Sequence, residues 1–158
     1  MKHDPKFEEL IAANEMPDAR IKVRINDEYL LGDEDHYVES IMIGLTLVDL
    51  LEAAENVVSG TRGSVELLDS GTYLVLEPED QRRVTISKCF SPSAVSNPSE
   101  RLFDPCMATR GAVISEIIRV AEEWRNDALE VNPDITATKW FKNLQESVDS
   151  LNDEFQDR

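Results

Sequence analysis

Few residues of the types that carry out covalent or metal chemistry occur in this chain of 158 residues. The histidines His3 and His36 and the cysteines Cys89 and Cys106 lie in four separate regions of the sequence. No Cys-x-x-Cys or His-x-x-x-His spacing occurs, so the sequence predicts no metal site and no cofactor. The run from Asp33 to Asp35 lacks the central glycine and terminal glutamate of a calcium loop, and it is interpreted as a solvated acidic loop.

Cys106 and Arg110 are the candidates for an anion or small-molecule site. They lie at the start of a predicted helix, whose N-terminus would favour an anion and would lower the pKa of the Cys106 thiol. A catalytic cysteine needs a histidine base, and nothing in the sequence places His36 near it. The sequence leaves enzyme activity undecided, and we favour inert free thiols in a reducing, cytoplasmic compartment.

The charge of the chain is strongly negative and uneven. Acidic residues outnumber basic ones by 32 to 16, which gives a net charge of -16. Residues 27–80 hold fourteen of the acids and a single base, Arg62. Such a surface repels nucleic acid and anionic membranes, so neither is expected as a partner. No apolar run is long enough to span a bilayer, and the charged N-terminus does not resemble a signal peptide.

Two interpretations of this acidity stay open. The excess of ten Arg over six Lys fits adaptation of the whole surface to high salt. Alternatively, the acidic segment contacts a basic protein, because opposite charge speeds association. The candidate contact residues are Asp33, Glu34, Asp35 and Glu39. The clustering favours a contact surface, since solvation would spread acids over the whole chain.

The apolar spacing predicts the α+β class. Alternation from Ile21 to Ile25 predicts a strand that turns back at Asn26-Asp27, and further strands up to Cys89 predict an antiparallel meander. An apolar run after Thr46 predicts an internal helix. The helix is expected to begin with a capping box at Thr46 and to stop at Gly60. The expected single domain comprises a helical arm (1–19), a sheet region (20–90) containing a helix (46–58), a long loop (91–108) and a helix pair (109–155).

The two long C-terminal helices are expected to pack on one face of the sheet. Their large aromatic residues, Trp140, Phe141 and Phe155, are interpreted as part of the core of the same chain. The alternative is an exposed stripe that forms a homodimer.

Three short segments carry a resemblance. The stretches Leu45-Thr-Leu-Val-Asp-Leu-Leu51, Leu67-Leu-Asp-Ser-Gly71 and Leu74-Val-Leu-Glu-Pro78 resemble small immunity proteins of bacterial toxin systems. That resemblance implies a non-enzymatic acidic inhibitor that binds a toxin domain, and it supplies no catalytic residues. By composition the chain also resembles uncharacterised proteins of salt-loving archaea.

We therefore expect a cytoplasmic, non-enzymatic protein-binding module that uses the acidic segment 27–80. One alternative is an anion or small-molecule binder, or an enzyme, with a pocket near loop 91–110. The other is a structural or oligomeric protein adapted to high salt.

Salt dependence separates the two interpretations of the acidity. The contact-surface hypothesis predicts that the protein keeps its far-UV circular dichroism at about 10 mM KCl, where charges act over about 30 Å. Unfolding in the absence of molar KCl would explain the acidity by solvation and self-repulsion, and would remove the main support for a contact surface. Far-UV circular dichroism and the thermal midpoint, followed from low to molar KCl, decide between them.

Overall fold

The computed structural model describes residues 1–68 and 70–156. Asp69, which belongs to the quoted segment before Gly71, lies outside them. In chain order the helices and strands are β1 (Lys2–His3), α1 (Phe7–Ala12), β2 (Ala19–Ile21), β3 (Val23–Ile25), β4 (Glu28–Leu31), β5 (Val38–Ser40), α2 (Ile43–Val58), β6 (Gly63–Leu67), β7 (Thr72–Pro78), β8 (Arg83–Cys89), α3 (Pro92–Ser96), β9 (Cys106–Thr109), α4 (Arg110–Val131) and α5 (Lys139–Gln156).

The α+β class is confirmed, because antiparallel sheets and long C-terminal helices form one structure. The predicted meander is the sheet β6-β7-β8, and β9 adds a fourth strand on the edge of β8. The N-terminal region forms a second sheet in the order β1-β2-β5 and the hairpin β3-β4. The predicted helical arm is therefore wrong in part, since β1 precedes a short α1.

The single strand predicted from Ile21 to Ile25 is broken at Lys22. β2 pairs with β1 and β5, whereas β3 pairs with β4, so the two halves belong to different sheets. The predicted turn is confirmed: Asn26 and Asp27 have φ angles of 50° and 76°. Two consecutive left-handed residues are typical of a tight hairpin whose twist matches its strands.

Helix α2 begins three residues before the predicted position, and the predicted capping box is wrong. The Thr46 hydroxyl is buried and hydrogen-bonds the Ser40 hydroxyl (2.9 Å), so it caps no amide. The first amides are satisfied from the N-terminal segment instead. Met42 N–H donates to Asp18 Oδ1 (2.8 Å), and Ile43 N–H donates to the carbonyl of Pro17 (3.0 Å).

The predicted end of α2 at Gly60 is confirmed. Gly60 has a φ of +82° and donates to the carbonyl of Val57 (3.0 Å), while Thr61 donates to that of Asn56 (2.8 Å). This bonding pattern satisfies the last carbonyls of a helix, and glycine adopts the required conformation at no steric cost.

The main core lies between the sheet and the helices, and α2 is its central element. α2 packs on β6 and β7 with one face and on α4 and α5 with others. At Gly63 the backbone of β6 approaches α2 so closely that a Cβ atom would lie 2.5 Å from the Ala53 Cα. Trp124 of α4 and Phe141 of α5 are fully buried in this core.

The aromatic residues of α5 belong to the core of their own chain, as the favoured interpretation predicts. Phe141 is fully buried, and Trp140 and Phe155 are half-buried against the same core. The homodimer alternative thus loses the exposed stripe on which it depended.

The segment 91–108, predicted as one long loop, contains regular structure. The segment contains α3, a 3₁₀ turn (Pro98–Glu100) and the first three residues of β9. The Ser91 hydroxyl accepts from the amide of Ala94 (3.2 Å) and so starts α3. Ala94 packs against Val75 and Cys89, which places this segment on the sheet face opposite α2.

Arg101 ties this segment to the sheet. Its side chain is only 5% exposed, and Nη1 donates to Glu77 Oε2 (2.5 Å) and to the Ser87 hydroxyl (3.2 Å). Nε and Nη2 donate to the carbonyls of Ala94 and Val95, both at 2.9 Å. Burial alone would raise the pKa of Glu77, but Arg101 and the more exposed Arg62 outweigh it and hold that pKa below its ordinary value.

Replacing Gly63 by alanine is expected to lower the free energy of unfolding by about 2 kcal/mol, because the added methyl group forces β6 away from α2. Urea denaturation measures the change. The matched control is Gly111→Ala in α4, where a Cβ would meet only Phe155 at 3.9 Å. That variant should be neutral or more stable by up to about 1 kcal/mol. Equal stability of the two variants would contradict the close approach.

Replacing Arg101 by alanine is expected to cost roughly 3 kcal/mol, because it leaves the carbonyls of Ala94 and Val95 and one oxygen of the Glu77 carboxylate without their donor. Arg62→Ala removes the other cation bound to Glu77, but Arg62 is 38% exposed and should cost less than about 1 kcal/mol. Thermal and urea unfolding of both variants tests the ranking, which a similar cost for the two arginines would contradict.

Candidate protein-contact site

Residues 32–36 form a compact acidic loop between β4 and β5. Gly32 has a φ of +71°, which lets the chain turn immediately after β4. Asp33 Oδ1 accepts from the amides of Asp35 (2.9 Å) and His36 (2.8 Å), and the Asp33 amide donates to the carbonyl of His36 (2.9 Å). An aspartate that binds its own following amides is typical of a turn, so Asp33 organises the loop.

The Asp33 carboxylate also pairs with the His36 ring, whose Nδ1 lies 2.8 Å from Oδ1. This side-chain hydrogen bond, followed by the backbone hydrogen bonds from His36 and Asp35, holds the pKa of Asp33 below its ordinary value. Its contribution to loop order is therefore fully present above the ordinary pKa of 3.8 and is lost only as the pH falls through the lowered value.

A lysine and two tyrosines support the loop. Lys22 Nζ donates to the carbonyls of Asp33 (3.5 Å) and Glu34 (3.1 Å). The same ammonium lies over the rings of Tyr37 (4.5 Å) and Tyr29 (5.4 Å). Lys22 therefore binds the backbone of the loop without neutralising a carboxylate.

The remaining carboxylates of the loop and its flank are available to a partner. Glu34, Asp35 and Glu39 are exposed, and within residues 1–68 and 70–156 their side chains make no ion pair or hydrogen bond. Glu39 is the register partner of Arg20 on β2, yet no ion pair joins them there. We name Asp33, Glu34, Asp35 and Glu39, with Tyr29 and Tyr37, the acidic loop site.

Two other acids of the segment 27–80 lie in different surroundings. Glu77 is bound by Arg62 and Arg101 beneath α3. Asp49 lies on α2, where burial and then the charges of Glu52 and Glu66 raise its pKa.

The structure does not bring Cys106 and Arg110 together as an anion site. Cys106 lies in β9, not at a helix N-terminus, and its thiol donates to Glu28 Oε2 (3.7 Å). Partial burial and the Glu28 carboxylate raise the pKa of Cys106, so the expectation of a lowered value is wrong. Arg110 donates to the carbonyl of Val58 at the end of α2.

Where α3 covers the sheet, the protein itself fills the space between the sheet and the segment 91–108. The side chains of Val75, Cys89 and Ala94 fill the space under α3, and Arg101 closes it. His36 binds Asp33 in the acidic loop, and the described contacts include none between this ring and a cysteine.

Sequence reasoning missed Lys22, Tyr29 and Tyr37 as parts of the site. Lys22 is a polar position in an alternating strand, and such a position signals only solvent exposure. The contact arises because the chain between β4 and β5 folds back over β2 and β3. This folding is a tertiary feature without a local sequence signal.

Two further features of the described residues concern metal ligands and membrane spans. In the ranges 1–68 and 70–156, no three His, Cys, Asp or Glu side chains are close enough to hold a metal ion. Among the helices of these ranges, none combines the length and the apolar character that a membrane span requires.

Comparison with known proteins assigns this chain to no family. No family model, curated protein or solved structure matches this chain significantly. The resemblance to toxin-immunity proteins therefore stays a prediction.

The thiol chemistry provides a direct test of the corrected Cys106 environment. At pH 8, iodoacetamide should alkylate Cys106 more slowly than free cysteine, because the raised pKa leaves less thiolate. Glu28→Gln should speed the reaction several-fold, and by at most about tenfold, the thiolate change for one pKa unit. Buried Cys89 is the internal reference and should react only in urea. Faster alkylation of Cys106 than of free cysteine would restore it as a candidate nucleophile.

Proposed function

We propose that this protein is a cytoplasmic, non-enzymatic binding module that presents the acidic loop site to a basic protein. The observation that carries the proposal is an ordered loop whose exposed carboxylates, Glu34, Asp35 and Glu39, have no cation partner among the described residues. Two free cysteines support a reducing compartment.

The order of the loop supports this role because binding would cost little conformational entropy. Asp33 and Lys22 hold the loop backbone from two sides before any partner arrives. A surface that is already in its bound conformation keeps more of its interaction energy as affinity.

The composition of the site also suits a protein contact. Tyr29 and Tyr37 are half-buried beside the carboxylates, and tyrosine is enriched in protein interfaces. The net charge of -16 would steer a basic partner toward the protein and raise the association rate. A partner with Lys or Arg side chains around an apolar centre fits both features.

A residue-resolved titration tests the proposal. A nona-arginine peptide is the probe, and the backbone amide shifts of isotope-labelled protein are followed at low salt. The largest shifts are expected at residues 33–39. Glu34→Gln with Asp35→Asn should weaken binding by at least about fivefold, since each exposed ion pair is worth roughly 0.5 kcal/mol. Asp33 is left unchanged because it organises the loop.

The control variant removes the same charge elsewhere. Glu8→Gln with Glu9→Gln alters two exposed acids of α1 and should weaken binding less than about twofold if the site is local. An equal loss in both double variants, or shifts spread over all exposed carboxylates, would show that the peptide senses only net charge and would refute the acidic loop site.

A further inference from the structure

A cleft of about 360 Å³ lies between α4 and the segment 21–26, and the first half of α2 also lines it. Its floor is the α2-facing side of the large sheet, where Leu74, Leu76 and Ile86 are buried. Val75, between two of these residues, faces the opposite side and packs against Ala94 of α3. We call this space the α4 cleft. Its volume is within the roughly 300–1,000 Å³ of small-molecule sites.

The walls of the α4 cleft are apolar, and part of their surface is in contact with solvent. On α4, Val113, Ile117 and Val120 recur at spacings of four and three, which places them on one side of the helix. All three are half-buried, and so are Val23 and Leu50 in the other walls. A hydrocarbon in the cleft would remove this apolar surface from water, which is favourable.

The arginines and the acid in the lining are already paired within the protein. Arg24 binds Asp27 at 2.5 Å. Arg119 binds Glu116 at 2.7 Å and Glu123 at 2.8 Å. A charged ligand would have to compete with these ion pairs for a side chain of opposite charge.

The remaining polar side chains of the lining that form hydrogen bonds also use them within the protein. Lys22 donates to two carbonyls of the acidic loop. The Thr46 hydroxyl bonds that of Ser40 (2.9 Å), and the Asn26 amide donates to the carbonyl of Met107 (2.7 Å). Recognition in the cleft therefore depends on its apolar surface.

We propose that the α4 cleft binds a small, uncharged and mainly hydrocarbon molecule, which lies on the wall formed by Val113, Ile117 and Val120. The volume of the cleft limits the size of the molecule, and the half-buried walls match its body. Because the charged side chains of the lining are paired with one another or bound to the protein, a charged head would be removed from water without a partner, which is costly. The proposal does not rest on the acidic loop site.

1-Octanol, octanoate and octylammonium test the proposal because they share an eight-carbon chain and differ in the charge of the head. Methyl shifts of isotope-labelled protein report both the affinity and the place of binding. In 1 M KCl, where charges act over only about 3 Å, the net charge of the protein has little influence on the comparison. 1-Octanol is expected to bind at least about fivefold more tightly than either ion, and to shift Val113, Ile117 and Val120 most. Equal or tighter binding of either ion, or no saturable binding of 1-octanol, would overturn the proposal.

Chain length tests the contribution of the hydrocarbon body. 1-Octanol should bind about tenfold more tightly than 1-hexanol, because each buried methylene group strengthens binding by up to about fourfold. A difference below about twofold would mean that the chain stays in water, which contradicts the proposal. Shifts of the same methyl groups that follow protein concentration without any probe would assign the cleft to a second copy of the chain and would also overturn it.

A tryptophan variant locates the binding site. Ala108 of β9 is the register partner of Val84, so its side chain lies on the same sheet face as that of Ile86. Ala108→Trp should fill the cleft and abolish the binding of 1-octanol. The matched control is Met107→Trp at the neighbouring exposed position on the other face, which should leave the affinity unchanged.

A double variant preserves the shape of the helix wall. Val113→Thr with Val120→Thr exchanges one methyl group of each side chain for a hydroxyl, so it should weaken 1-octanol several-fold while circular dichroism shows an unchanged fold. This variant decides the matter if Ala108→Trp does not fold. Retained affinity in either folded variant, or methyl shifts centred on residues outside the lining, would place the probe elsewhere and refute the α4 cleft.

Discussion

The backbone of β6 lies directly against α2 at Gly63 and Ala53, and this close approach sets the position of the central helix. α2 then provides the surface on which α5 packs, so the sheet and the last helix are coupled through one element. Leu47, Leu51 and Val57 of α2 are buried in the core, while Leu45, Glu52 and Asn56 face solvent. A shift of α2 would move both walls of the core, because a densely packed interior transmits displacement.

The two faces of the large sheet are stabilised by different physics. The α2 side is an apolar core, in which burial of hydrocarbon is the main driving force. The opposite side is small and depends on Arg101, which donates to the carbonyls of Ala94 and Val95 and shares the Glu77 carboxylate with Arg62. This second side is filled by the protein's own side chains, whereas a cleft of about 360 Å³ lies on the first side, beside Leu74, Leu76 and Ile86.

The sequence shows one long acidic segment, but in the structure paired and unpaired charges lie close together. The acidic loop presents unpaired carboxylates, while Lys22 beneath it binds carbonyls and tyrosine rings. Elsewhere the cations are paired with nearby acids, Arg24 with Asp27 and Arg119 with Glu116 and Glu123. The local arrangement of these residues, and not the net charge, therefore decides which charges are paired.

Local patterns alone predicted the meander, the turn at Asn26-Asp27, the end of α2 at Gly60 and the two long C-terminal helices. Each depends on interactions within a few residues: alternation, left-handed conformation or helical spacing. The local sequence also identified the exposed run Asp33-Glu34-Asp35, because consecutive charged residues are typical of a solvated segment.

Tertiary contacts decided the rest. Thr46 bonds Ser40 across a chain reversal, so it caps nothing. Cys106 belongs to β9, which pairs with β8 at the edge of the sheet, and Arg110 donates to the Val58 carbonyl at the end of α2. In both cases partners distant in sequence satisfy the polar groups.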